Sequence, residues 1–129
     1  MKSLHLALIL LCMICSAAFS ACSELELVGT ELTYTRISAE LARQMMQESD
    51  SFILLDVRTY GEFRVNRIEG AILIPYDELE TRAIYELPDK NILILVYCRS
   101  GRRSETAARK LIAMGYSNVY DFGGIEDWD

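Results

Sequence analysis

Three runs of consecutive apolar residues punctuate the middle of the chain: Phe52 to Leu55, Ala71 to Ile74 and Ile92 to Tyr97. None shows the in-out alternation of a half-exposed strand, so they predict strands covered on both faces, as in a parallel sheet. A further strand is expected over Asn118 to Asp121, and a short one over Thr33 to Ile37. The polar stretches between them carry helix signals. Ser38 caps a helix whose apolar face is read as Leu41, Met45 and Met46, with Glu40 in its first turn. Thr59-Tyr60-Gly61-Glu62 has capping-box spacing, and Pro75 opens a short helix from Asp77 to Ile84. Ser104 to Met114 predicts a longer helix that buries Ala107, Ala108, Leu111 and Ile112 and stops at Gly115. Strands alternating with helices imply an α/β fold with a mostly parallel central sheet flanked by helices.

The N-terminus follows a different pattern. Lys2 precedes an apolar stretch from Leu4 to Cys15, then the small residues Ser16, Ala17 and Ala18, with no acidic side chain before Glu24. That is the layout of an export signal, so residues 1–21 are set apart from the fold. Phe19-Ser20-Ala21-Cys22 resembles a bacterial lipobox, with Phe19 where Leu is usual; it implies lipidation at Cys22 and a membrane-anchored, exported protein. Two other readings stand beside it: ordinary cleavage near Ser20 or Ala21, giving a secreted or periplasmic protein, and an uncleaved anchor, for which the apolar stretch is short. Residues 22–32 read as a stalk and residues 33–129 as one domain. Membrane attachment is expected only through the lipid or the signal segment.

Composition narrows the partners. The 129 residues carry a formal charge of -6, and without residues 1–21 the balance is 12 basic against 19 acidic side chains. Nucleic acid is excluded as a general partner, because phosphate affinity needs clustered Lys and Arg. Of the four Cys, only Cys98 falls in the folded part, which rules out a disulfide framework and a Cys-rich metal site there.

Cys98 stands where a buried strand ends and a helix begins, within Cys98-Arg99-Ser100-Gly101-Arg102-Arg103-Ser104. Open α/β sheets bind ligands in such loops. Free N–H groups there hold an anion and favour a thiolate. Arg99, Arg102 and Arg103 add positive charge, so the expected guest is anionic. An inert buried Cys ending a core strand is the plain alternative. Spacing bears on which anion: cysteine phosphatases place five residues between Cys and an essential Arg, and that position holds Ser104. A tighter cradle suits a single sulfur atom. Asp56-Val57-Arg58 follows the first long strand and offers either a buried pair that pins a loop or a substrate contact. His5, the only His, lies in the export segment, so no imidazole base serves Cys98.

Taken in order, Leu54 to Thr59, Glu62-Phe63, Ile68 to Pro75, Tyr97 to Ser104, and Phe122 to Ile125 with Trp128 resemble the rhodanese family, in particular its single-domain bacterial members. The resemblance covers the chain from about Thr35 onward. It implies a rhodanese-like sandwich and a sulfurtransferase in which Cys98 takes a sulfane sulfur from a small anionic donor such as thiosulfate and passes it to a thiophilic acceptor such as cyanide or a thiol. It also implies that the backbone from Arg99 to Ser104 holds the persulfide, that Arg side chains orient the donor, and that neither metal nor organic cofactor is needed. A persulfide carrier or partner-binding module without turnover is the alternative. Two departures stand out: Asn66-Arg67 occupies the place of a frequent Gly-His pair, and the chain stops at Asp129 where relatives usually continue into a closing helix.

Overall fold

The computed structural model describes residues 32–128; the expected export signal, Cys22 and residues 22–31 of the stalk lie outside them. Five strands, β1 (Thr35–Arg36), β2 (Phe52–Asp56), β3 (Ile72–Leu73), β4 (Leu93–Cys98) and β5 (Val119–Gly124), form one sheet in the order β1-β5-β4-β2-β3. Every pairing is parallel, so the sheet is wholly rather than mostly parallel. Helices α1 (Ala39–Glu48), α2 (Tyr60–Val65), α3 (Leu79–Glu86) and α4 (Arg102–Ala113) connect them, and a 3-10 turn over Ile125–Asp127 follows β5.

Alternation along β4 divides the core. Ile94, Val96 and Cys98 join Leu79, Ala83, Ala107, Ala108 and Leu111 on the face covered by α3 and α4. Leu95 and Tyr97 turn the other way, toward Ala42 of α1, Leu54, Ile68 and Phe122. Both faces are covered, which is why the run shows no polar alternation.

Several local signals act as read. The Ser38 side chain accepts the Leu41 N–H, and Thr59 and Glu62 form the reciprocal capping box. Gly115, at φ 91°, ends α4 in a Schellman motif: its N–H bonds the Ile112 carbonyl while the Tyr116 N–H reaches back to Leu111.

Four expectations are corrected. The buried position on α1 is Ala42, with Met45 and Met46 beside it, whereas Leu41 is exposed; the small Ala side chain lets the helix approach the sheet. Ile72 is also exposed, because β3 is a two-residue edge strand with no neighbour on its outer side. Pro75 makes a turn, its carbonyl accepting the Glu78 N–H, and the helix begins only at Leu79. Helix α4 begins at Arg102, two residues before the expected start.

The strand order places the site. After β3 the chain returns across β2 to lay down β4 on its other side, so the loops leaving β2 and β4 diverge from adjacent strand ends. That divergence opens a crevice at the C-terminal edge of the sheet. Asp56 and Cys98 end these two strands.

Candidate active site

Cys98 is the last residue of β4 and is 1% exposed. Three residues on, Gly101 adopts φ 98°, a left-handed conformation that an L side chain resists. The chain thereby doubles back, and the Gly101 N–H donates to Cys98 Sγ at 3.0 Å. The buried Ser104 hydroxyl lies 3.6 Å from the same sulfur and is held by the carbonyls of Gly101 and Gly123. The first intrahelical bond of α4 runs from the Glu105 N–H to the Gly101 carbonyl. The N–H groups of Arg102, Arg103 and Ser104 therefore have no intrahelical acceptor, and no capping side chain takes them. The Cys98 thiol thus receives one N–H at the N-terminal end of a helix whose first N–H groups lack partners, a setting that can hold an anion.

Strand β5 supports this loop from beside it. Cys98 is the register partner of Gly124, after a bulge at Phe122 that shifts the pairing. A Cβ on Gly124 would meet the Arg99 carbonyl oxygen well inside van der Waals separation and the Ser100 Cα at 2.9 Å. Because the obstructing atoms are backbone, the loop itself would have to move. Gly124→Ala is accordingly expected to slow alkylation of the Cys98 thiol by iodoacetate by about tenfold or more, as misplacement of reacting groups does, while the far-ultraviolet dichroism stays native. Unchanged rates in a stopped-flow comparison would show that the loop tolerates the displacement.

The arginines are placed differently from one another. Arg58 is 4% exposed and its guanidinium binds both Asp56 carboxylate oxygens, Oδ2 at 2.7 Å and Oδ1 at 3.0 Å, and the Asn66 carbonyl at 2.6 Å. Burial works against this cation, but the Asp56 carboxylate outweighs it and holds Arg58 above its usual range. Asp56 also accepts the Arg58 backbone N–H. Opposite Asp56 in the sheet register, the Tyr97 phenol accepts the Ile68 N–H; burial first, and Asp56 second, push its titration upward. This cluster pins the β2 loop.

Arg103, in the first turn of α4, is engaged by both oxygens of Glu62 on α2, at 2.7 and 2.8 Å. Glu62 also accepts from the Thr59 N–H and hydroxyl. The Arg103 guanidinium, helped by Thr59, pulls the Glu62 carboxyl down to about 2. Arg99 is exposed and pairs with Glu126 at 2.9 Å. Ser100 and Arg102 are also exposed, and Arg102 makes no ion pair among the described residues.

Two residues that shape the loop carried no local signal. Asp121, fully buried in β5, accepts the Gly123 N–H and pairs at 2.8 Å with Arg36 of β1, whose guanidinium lies against Gly101 and Gly123. Their partnership spans 85 positions, so no spacing rule reaches it.

Comparison with known proteins identifies the family and the fold. The family model described as "Rhodanese-like domain" matches residues 38–129. The chain is 40% identical over 73 residues to "Thiosulfate sulfurtransferase PspE" of Escherichia coli (strain K12), covering 57% of this chain and 70% of that protein. It is 40% identical over 93 residues to "Putative sulfur carrier protein YrkF" of Bacillus subtilis (strain 168), covering 71% of this chain but 49% of that one. Among solved structures, "rhodanese with anions from E. coli" superimposes with a TM-score of 0.57 at 38% identity, covering 60% of this chain and 91% of that chain.

Proposed function

The chain belongs to the rhodanese-like family, and on that footing we propose that it is a thiosulfate-type sulfurtransferase working through a persulfide on Cys98. The observation that carries the reading is Cys98 Sγ receiving the Gly101 N–H at 3.0 Å, at the N-terminal end of α4, whose first N–H groups have no partner. Such groups stabilise the anionic sulfur both before and after transfer.

In the first half-reaction the Cys98 thiolate attacks the outer sulfur of thiosulfate. A sulfur–sulfur bond forms to Cys98, the original one breaks, and its electron pair leaves on sulfite. In the second half-reaction an acceptor such as cyanide attacks the outer sulfur of the persulfide, giving thiocyanate and returning the thiolate. Thiol exchange of this kind needs no imidazole base. Asp56 and Arg58 serve by holding the β2 loop beside the crevice. In the same reading, residues 1–21 direct export and Cys22 receives a lipid.

A carrier without turnover is the second reading, favoured by the resemblance to a protein named as a sulfur carrier. The two separate in one experiment with purified protein. With thiosulfate and excess cyanide, a sulfurtransferase releases many equivalents of thiocyanate per Cys98. A carrier takes up one sulfur on Cys98 and releases no thiocyanate, and a protein that neither gains sulfur nor releases thiocyanate fails both readings.

A further inference from the structure

We propose that Arg102 is the residue that recognises the anionic donor, and that Glu62 withholds Arg103 from that task. The inference rests on the sulfur-transfer reading above and specifies which of the four nominated arginines reads the substrate. Arg58 is buried and committed to Asp56. Arg103 presents its planar fork to both oxygens of Glu62, and a bidentate carboxylate occupies the donors that a sulfonate-type oxyanion would need. Arg99 faces Glu126 at 2.9 Å.

The surroundings of Arg99 and Arg102 differ in a way that reinforces this division. Arg99 borders a recess of about 410 Å3 together with Arg58, Glu62, Val65, Ile125 and Glu126. Each cation bordering that recess has a carboxylate partner, and Val65 and Ile125 add apolar surface, so it offers no net attraction to an anion. On the other side of the loop, Arg102 borders a recess of about 450 Å3 with Tyr76, Ser100, Arg103 and Thr106. No carboxylate lines it. The Tyr76 and Ser100 hydroxyls and a guanidinium without an ion-pair partner among the described residues supply donors to an oxyanion there, beside the loop that holds Cys98, whereas the Thr106 hydroxyl is taken by the Arg102 carbonyl. The donor class is a small tetrahedral oxyanion bearing a sulfane sulfur, for which thiosulfate is the probe.

Glu62 makes the division testable by gain as well as by loss. Glutamine at position 62 keeps the reciprocal cap of α2, which Gln satisfies as Glu does, but releases the charge that holds Arg103. Arg102→Gln is expected to raise KM for thiosulfate by about tenfold, the worth of one charge-assisted hydrogen bond, with kcat within about a factor of two. Arg102→Lys should recover part of the loss. Glu62→Gln should lower KM for thiosulfate by about threefold, because it returns a second cation to the same recess. A binding readout independent of turnover is protection of Cys98 from iodoacetamide by inorganic sulfate: it should weaken in Arg102→Gln and strengthen in Glu62→Gln. Absence of thiocyanate release by the unaltered protein would count against the sulfurtransferase reading alone, since sulfate protection still reports on the recess. KM and sulfate protection unchanged in Arg102→Gln, or KM raised in Glu62→Gln, would overturn the assignment of donor recognition to Arg102.

Discussion

Serine in place of Cys98 is expected to abolish sulfur transfer, with turnover down by roughly a thousandfold or more, as follows when the nucleophile of a covalent mechanism is removed. A hydroxyl is a poor nucleophile without a base. The sole His of the chain is His5, outside the described residues, and the side chain near Cys98 Sγ is the hydroxyl of Ser104. An oxygen at position 98 would also be unable to hold a sulfane sulfur as a persulfide. Stability should change little, by about 1 kcal/mol, because serine is similar in size and its oxygen can accept the Gly101 N–H. Loss of transfer with a thermal midpoint shifted by only a few degrees would separate chemistry from folding. Thiocyanate production that survived the substitution would remove Cys98 from the mechanism.

The largest effect on stability is expected at Asp56. Its carboxylate is fully buried and takes the backbone N–H and guanidinium of Arg58. Asp56→Ala strands a buried cation without its partner, a change that costs about 3–5 kcal/mol, against a total domain stability of about 5–15 kcal/mol. Asp56→Asn keeps the shape and one acceptor oxygen, and should cost less. Urea unfolding followed by tryptophan fluorescence measures both. A loss below about 1 kcal/mol for Asp56→Ala would mean that the pair contributes little to the fold and would return it to the list of substrate contacts. Whatever Asp56→Ala protein remains folded should still form the Cys98 persulfide.

These two residues also mark how far the sequence could be read. Cys98 and Asp56 were legible because each closes an uninterrupted apolar run, and a parallel sheet delivers the ends of such runs to one edge. Gly101 stands in the same motif, and the structure shows its part: the strand turns back within three residues through its left-handed backbone. The roles of the arginines were not legible. Arg99, Arg102 and Arg103 look alike in the sequence, and what distinguishes them is a carboxylate 27 residues away for Arg99 and 41 residues away for Arg103. Glu62 was read as half of a capping box, which it is; that the same carboxylate reaches across to α4 depends on how α2 and α4 approach in space. The exposure of Leu41 and Ile72 has a similar origin. Periodicity counts apolar positions, but whether a position is covered depends on how closely a helix docks and on whether a strand has a neighbour on both sides.

The central claim is that Cys98 carries the sulfur, and mass spectrometry after brief exposure of the purified protein to thiosulfate tests it most directly. The predicted result is a gain of about 32 Da, one sulfur atom, confined to the peptide containing Cys98, removed by cyanide and absent in Cys98→Ser. An unmodified Cys98 peptide, or the same gain in the serine variant, would contradict it.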